Sequence, residues 1–175
     1  MVKVIKKIKF SIYIFIIGFI ICFTKIIYDS YFKYFDFYID NSKIFGVLEI
    51  KKINLKKGFY DTGNINNTVS KGLEVINKSN WPNNENSMLI LASHSGSSRI
   101  SYFNKLCKLK YGDIVNIYHD SKKYKYKIIN ISEVNKEGKI EISENINKSL
   151  LMLITCSKID NDKQLLYVCE LIEVV

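Results

Sequence analysis

Arginine and histidine are almost missing from this 175-residue chain: Arg99 is the only arginine, and His94 and His119 are the only histidines. With so little arginine, the net charge of +9 is carried almost wholly by lysine. The accompanying abundance of Lys, Ile, Asn and Tyr reads as the coding bias of an AT-rich genome, so the basicity by itself assigns no function. Such a surface suits an anionic cell envelope. No stretch interleaves basic and aromatic residues in a nucleic-acid motif, so no nucleic-acid partner is expected. The four cysteines are widely spaced, with no Cys-x-x-Cys and no His-rich cluster, which argues against a disulfide framework or a metal site. No cofactor is called for. An apolar content of 47% excludes wholesale disorder, and the length suits one ordinary domain plus an appendage.

The appendage is at the N-terminus. Residues 10–24 carry no charge, and 8–28 form an apolar stretch if Lys9 and Lys25 snorkel. As a helix this stretch measures about 31 Å, enough to cross a bilayer core. No small-x-small cleavage site follows it, which argues against a removed signal peptide. Ile21 stands where a lipoprotein anchor at Cys22 would need a small residue. Lys3, Lys6, Lys7 and Lys9 precede the span while Asp29, Asp36 and Asp40 follow it, so the lysine bias places the N-terminus in the cytoplasm and the remainder outside. The expected organisation is therefore a tail and transmembrane anchor over 1–28, an aromatic stalk over 29–45, and one domain over 46–175. The stalk has too little Gly, Pro or Ser to be a loose linker.

Within the domain, Gly46 to Leu55 reads as one or two edge strands, and Gly58 to Glu85 as turns with at most one short helix. Ile100 to Leu109 has apolar residues at helical spacing, which predicts that Cys107 is packed in. Tyr111-Gly112-Asp113 is a turn. Strict alternation follows: Tyr124, Tyr126 and Ile128 share one face, and Lys123, Lys125 and Lys127 face water. His119-Asp120-Ser121-Lys122 makes a hairpin connection, which places His119 at a solvent-facing turn. Ile140 to Ile146 is a short polar strand or turn, and Gln164 to Val175 is a last strand, apolar enough to be largely covered and to bury Cys169. Seven or eight strands with short helices make an all-β, closed or nearly closed barrel.

Leu150 to Ser157 is a continuous apolar run that reads as a buried strand delivering one cysteine to its end. The two-residue period puts Met152, Ile154 and Cys156 on one face, and Leu151, Leu153 and Thr155 on the other. Taken alone, Cys156 reads as an inert small hydrophobe. A second apolar run, Met88 to Ala92, changes that reading, because it ends in Ser93-His94-Ser95-Gly96 and sends a histidine out of its strand in the same way.

Four segments together resemble the sortases in order and approximate spacing: Leu-Ile-Leu-Ala-Ser-His-Ser-Gly (89–96), Tyr-Phe-Asn-Lys-Leu (102–106), Leu-Lys-Tyr-Gly-Asp (109–113) and Leu-Ile-Thr-Cys (153–156). The resemblance covers residues 46–175. It implies a sortase-type β-barrel and a cysteine transpeptidase held on the outer face of a bacterial cell membrane. It further implies that Cys156 attacks the Thr carbonyl of a Leu-Pro-x-Thr-Gly-like sorting signal on a secreted protein, and that His94 protonates the departing amine. An amine from a peptidoglycan precursor or a pilin lysine then resolves the thioester. The thiolate is the reactive form. An ordinary thiol and imidazole, independent of one another, are thiolate and imidazolium together in roughly 1% of molecules at neutral pH, and proximity raises that fraction.

The chain departs from the family at its third group. Sortases generally carry an arginine at the start of the last strand, and here the corresponding residue is Gln164, or Lys163 with a one-residue shift. A Gln amide donates a hydrogen bond without charge, so the missing charge is expected from Lys158, two residues beyond Cys156, or from Arg99. The same departure motivates the alternative function, a sortase-like barrel without turnover that binds peptides or acts as a scaffold.

Overall fold

The computed structural model describes residues 15–27, 44–82, 86–136 and 148–175. The chain divides into two compact units, Met1–Ser42 and Lys43–Val175. In the first, residues 15–27 are helical. No helix among the described residues is long and apolar enough to cross a membrane, and the ends of the span expected over 8–28 lie outside those residues.

The second unit holds eight strands: β1 (Gly46–Ile50), β2 (Leu55–Phe59), β3 (Glu74–Val75), β4 (Met88–Ala92), β5 (Ile114–His119), β6 (Lys122–Asn135), β7 (Leu150–Cys156) and β8 (Lys163–Val174). They form a single sheet in the order β2-β1-β5-β6-β8-β7-β4-β3, curled into a nearly closed barrel that stays open between β2 and β3. Alternation builds its centre. Tyr124, Tyr126 and Ile128 on β6 meet Val115 and Ile117 on β5 inside the barrel, while the intervening lysines stay partly exposed. Register shifts between Lys125 and Tyr126, and between Ile128 and Asn130, interrupt the long β6–β8 ladder and help it to curl. Gly46 faces Phe59 across β1–β2, where a Cβ would come within 2.5 Å of the ring, so this close approach requires glycine.

The β5–β6 hairpin forms as expected, on a two-residue turn with Asp120 and Ser121 both left-handed (φ 49 and 59). Its neighbour His119 does not face solvent. Period two places His119 on the inner face with Val115 and Ile117, and it is buried there. Its ring stacks on Phe45 and Trp81, Nδ1 lies 2.8 Å from the Phe45 carbonyl, and Nε2 lies 3.2 Å from Asp120.

Cys107 is a second correction, since it is exposed rather than packed in. The segment holds only a single 3-10 turn, Leu106–Lys108. At three residues per turn, Phe103, Leu106 and Leu109 line up on the buried side, and Cys107 rotates away from it. Beyond the end of β2, the described part of 58–85 contains turns and the two-residue β3 but no helix. Asn67 completes β3, accepting from the Val75 N–H at 2.7 Å and donating to its carbonyl at 2.9 Å as a neighbouring strand would. The stretch expected over 140–146 lies outside the described residues.

Candidate active site

Most strand pairs here are antiparallel, but β4 and β7 run side by side in the same direction, with Ala92 opposite Ile154. Two residues further along each chain, His94 and Cys156 stand level on adjacent strand ends, and both are exposed. A single apolar pairing therefore carries both groups to the same rim of the barrel. The pairing is firm because Leu89, Leu91, Leu151 and Leu153 are fully buried beneath it.

The residues before each group are tied to each other. The Ser93 N–H donates to the Ile154 carbonyl at 3.2 Å, and the Thr155 hydroxyl donates to the Ser93 carbonyl at 2.8 Å. Ser93 Oγ donates in turn to the Gly72 carbonyl at 3.0 Å, and the Phe103 N–H closes the loop after His94 by donating to the His94 carbonyl at 3.1 Å. Ser93 and Thr155 are both buried. Neither was singled out from the sequence, although Thr155 sits inside the Leu-Ile-Thr-Cys motif on the inward side of its strand.

Cys156 is directly opposite Gln164 across β7–β8, so their side chains share a face. Ile154–Leu166 and Met152–Val168 continue that face as an apolar strip on the outside of the barrel. Leu151, Leu153, Tyr167 and Cys169 turn inward to the core. Burial pushes the Cys169 thiol well above the usual thiol range. Lys163 takes the other face, where its ammonium lies 3.6 Å from Asp160 and 3.9 Å from Glu133.

The β7–β8 connection is tightly bonded. Ser157 Oγ accepts from the N–H groups of Ile159 and Asp160 at 3.2 and 3.3 Å, and the Lys136 N–H donates to the Asp162 carbonyl at 2.9 Å. Lys158 leaves this loop toward the segment after His94, where its ammonium donates to the Asn104 carbonyl at 2.5 Å. Arg99 lies in the exposed turn between His94 and that segment. The fold thus brings His94, Cys156 and Gln164 to one rim. It engages Lys158 with a main-chain oxygen.

Residues 48–172 match the family model described as Sortase domain. Sortase A of Bacillus anthracis is 27% identical over 132 residues, which are 72% of this chain and 59% of that protein. The match thus spans less than two thirds of the relative's length. Among solved structures, Sortase A from Corynebacterium diphtheriae aligns with a TM-score of 0.66 at 23% identity, covering 74% of this chain and 61% of that one. Sortase C1 from Streptococcus agalactiae aligns with a TM-score of 0.65 at 24% identity, covering 77% and 70%.

Proposed function

The chain belongs to the sortase family, and from that premise we propose that it is a cysteine transpeptidase with Cys156 as nucleophile and His94 as general acid. Sortases act as cell-wall transpeptidases. In this chain the Cys156 thiolate adds to the Thr carbonyl of a Leu-Pro-x-Thr-Gly-like sorting signal, and His94 protonates the amine that leaves. The resulting thioester passes to an amine of a peptidoglycan precursor or a pilin. The observation that carries this reading is the parallel β4–β7 register, which puts His94 and Cys156 level at one rim. Gln164 supplies a neutral donor from the neighbouring strand, and Lys158 a cation at the loop. On the outer apolar strip Met152 and Leu166 are buried, and the partly exposed Ile154 and Val168 offer a surface for the signal's apolar residues. Cys156→Ala and His94→Ala should each abolish transpeptidation while the barrel keeps its melting temperature. Unchanged acyl-enzyme formation in the His94 variant would remove its assigned role.

The same reading puts the protein in the cell membrane, with 1–28 as cytoplasmic tail and anchor, 29–45 as stalk and 46–175 outside. The support is the uncharged stretch 10–24 with its preceding lysines. The full chain should fractionate with membranes and keep its N-terminus. Recovery of a soluble form starting after residue 28 would overturn this placement. The competing reading, a peptide-binding or scaffold barrel, is favoured by one observation, the uncharged Gln164 opposite Cys156.

A further inference from the structure

The hydrogen-bond phase of β7 can be followed to its last residue. The Ser157 N–H donates to the Lys163 carbonyl at 3.0 Å and the Leu171 N–H to the Ser149 carbonyl at 2.9 Å. Odd-numbered residues of β7 therefore bond to β8, and even-numbered residues turn their main-chain groups toward β4. The β4 side agrees: the Leu150 N–H donates to the Ser87 carbonyl at 2.7 Å, and the Ile154 carbonyl accepts from the Ser93 N–H at 3.2 Å. The next rung would join the Cys156 N–H to the Ser93 carbonyl. That rung is not formed, and the Thr155 hydroxyl takes the Ser93 carbonyl instead, at 2.8 Å. The Cys156 N–H is left pointing to the His94 side of the strand, with no acceptor among the described residues. Its exposure lets water serve it while the site is empty.

We propose that the main-chain N–H of Cys156 is a donor to the oxyanion of the acylation step, and that Thr155 keeps it available by capping the Ser93 carbonyl. The inference rests on the transpeptidase reading and adds a catalytic group and a positioning residue to it. As the Sγ–carbon bond forms, the carbonyl π pair moves onto oxygen, and this charge accepts the Cys156 N–H. When the intermediate collapses, the pair returns, the carbon–nitrogen bond breaks, and the leaving amine takes the proton from His94. A fixed donor aimed at charge that exists only in the transition state lowers the barrier without tightening substrate binding. With a neutral Gln164 on the β8 side, a main-chain donor on the β4 side carries more of that task.

The test compares two reactions of one thiol in the full chain. Thioester formation with a sorting-signal peptide passes through an oxyanion, whereas alkylation by iodoacetamide does not. In Thr155→Val the hydroxyl is gone and the Cys156 N–H is free to close the rung to Ser93. Thioester formation should then fall on the order of a hundredfold in kcat with KM little changed. Alkylation of Cys156 should keep the parent rate and pH profile, and Thr155→Ser should restore thioester formation. Unchanged thioester formation in Thr155→Val would overturn the proposal, as would an equal fall in both reactions. A parent that forms no thioester would sink the transpeptidase reading instead. In that case, or if the Val variant does not fold, amide hydrogen exchange on the parent decides. The Cys156 amide should exchange freely beside a protected Ile154, and equal protection of the two would refute the freed N–H.

Discussion

Replacing Gln164 by alanine isolates the third group of the site. Gln164 and Cys156 form a directly opposed pair that does not exchange ladder bonds, and in such pairs the Cα atoms lie about 4.5 Å apart. The carboxamide is then within reach of a carbonyl attached to Cys156 Sγ. Gln164 is half-buried, so water competes only partly for its N–H. Losing one neutral donor costs about 1–3 kcal/mol in the acylation barrier, or roughly 5- to 150-fold in rate. Stability should change little, because the side chain lies outside the core. Two controls fix the interpretation. Lys163→Ala should have almost no effect, since that side chain is on the other face with Asp160 and Glu133. Lys158→Ala should slow acylation less at high salt than at low salt, because its exposed ammonium is screened. The assay is the single-turnover rate of thioester formation on one peptide at two salt concentrations. Parent rates in all three variants would refute this view of the oxyanion site.

Three further outcomes concern the scaffold. The Tyr126 hydroxyl is buried with no hydrogen-bond partner among the described residues, so Tyr126→Phe should stabilise the fold by up to about 1–3 kcal/mol, read as a higher urea midpoint with an unchanged slope; a fall would contradict it. Ser121 holds a left-handed conformation in the β5–β6 turn, so Ser121→Gly should stabilise by about 1 kcal/mol, checked by the same titration. Burial raises the Asp113 carboxyl, but the Lys52 ammonium at 2.6 Å and the Lys110 N–H at 2.7 Å outweigh it and hold the group below its ordinary value of 3.8. A lowered value gives stability that is present above 3.8 and lost as pH falls through the folded value. Asp113→Asn should therefore be less stable than the parent at neutral pH, with the gap closing below pH 3.8.

The sequence announced strands wherever one face or both were covered. The runs that became β4 and β7 are apolar throughout and were legible to within a residue, whereas Tyr124, Tyr126 and Ile128 alternating with lysines marked β6 but not its extension to Asn135. The two-residue β3 was not, because its pairing is completed by the Asn67 side chain rather than by a strand pattern. At His119 the turn beside it points to solvent, but its phase with Val115 and Ile117 on β5 prevails and buries it. Cys107 was misplaced because a 3-10 turn has a shorter period than an α-helix, and that single step turns the thiol to solvent. That His94 and Cys156 would meet could not be read from their 62-residue separation. It came from the resemblance of the surrounding motifs, and the parallel β4–β7 register supplies the physical reason.

Trapping of a thioester on Cys156 tests the central claim most directly. The full chain is mixed with peptides of sorting-signal form in the absence of an amine acceptor, and its intact mass and peptide map are read. The expected result is a mass gain equal to the peptide fragment ending at Thr, located on Cys156, lost in Cys156→Ala and strongly slowed in His94→Ala. A folded protein that binds such a peptide while Cys156 stays unmodified would contradict the claim and favour the binding or scaffold barrel.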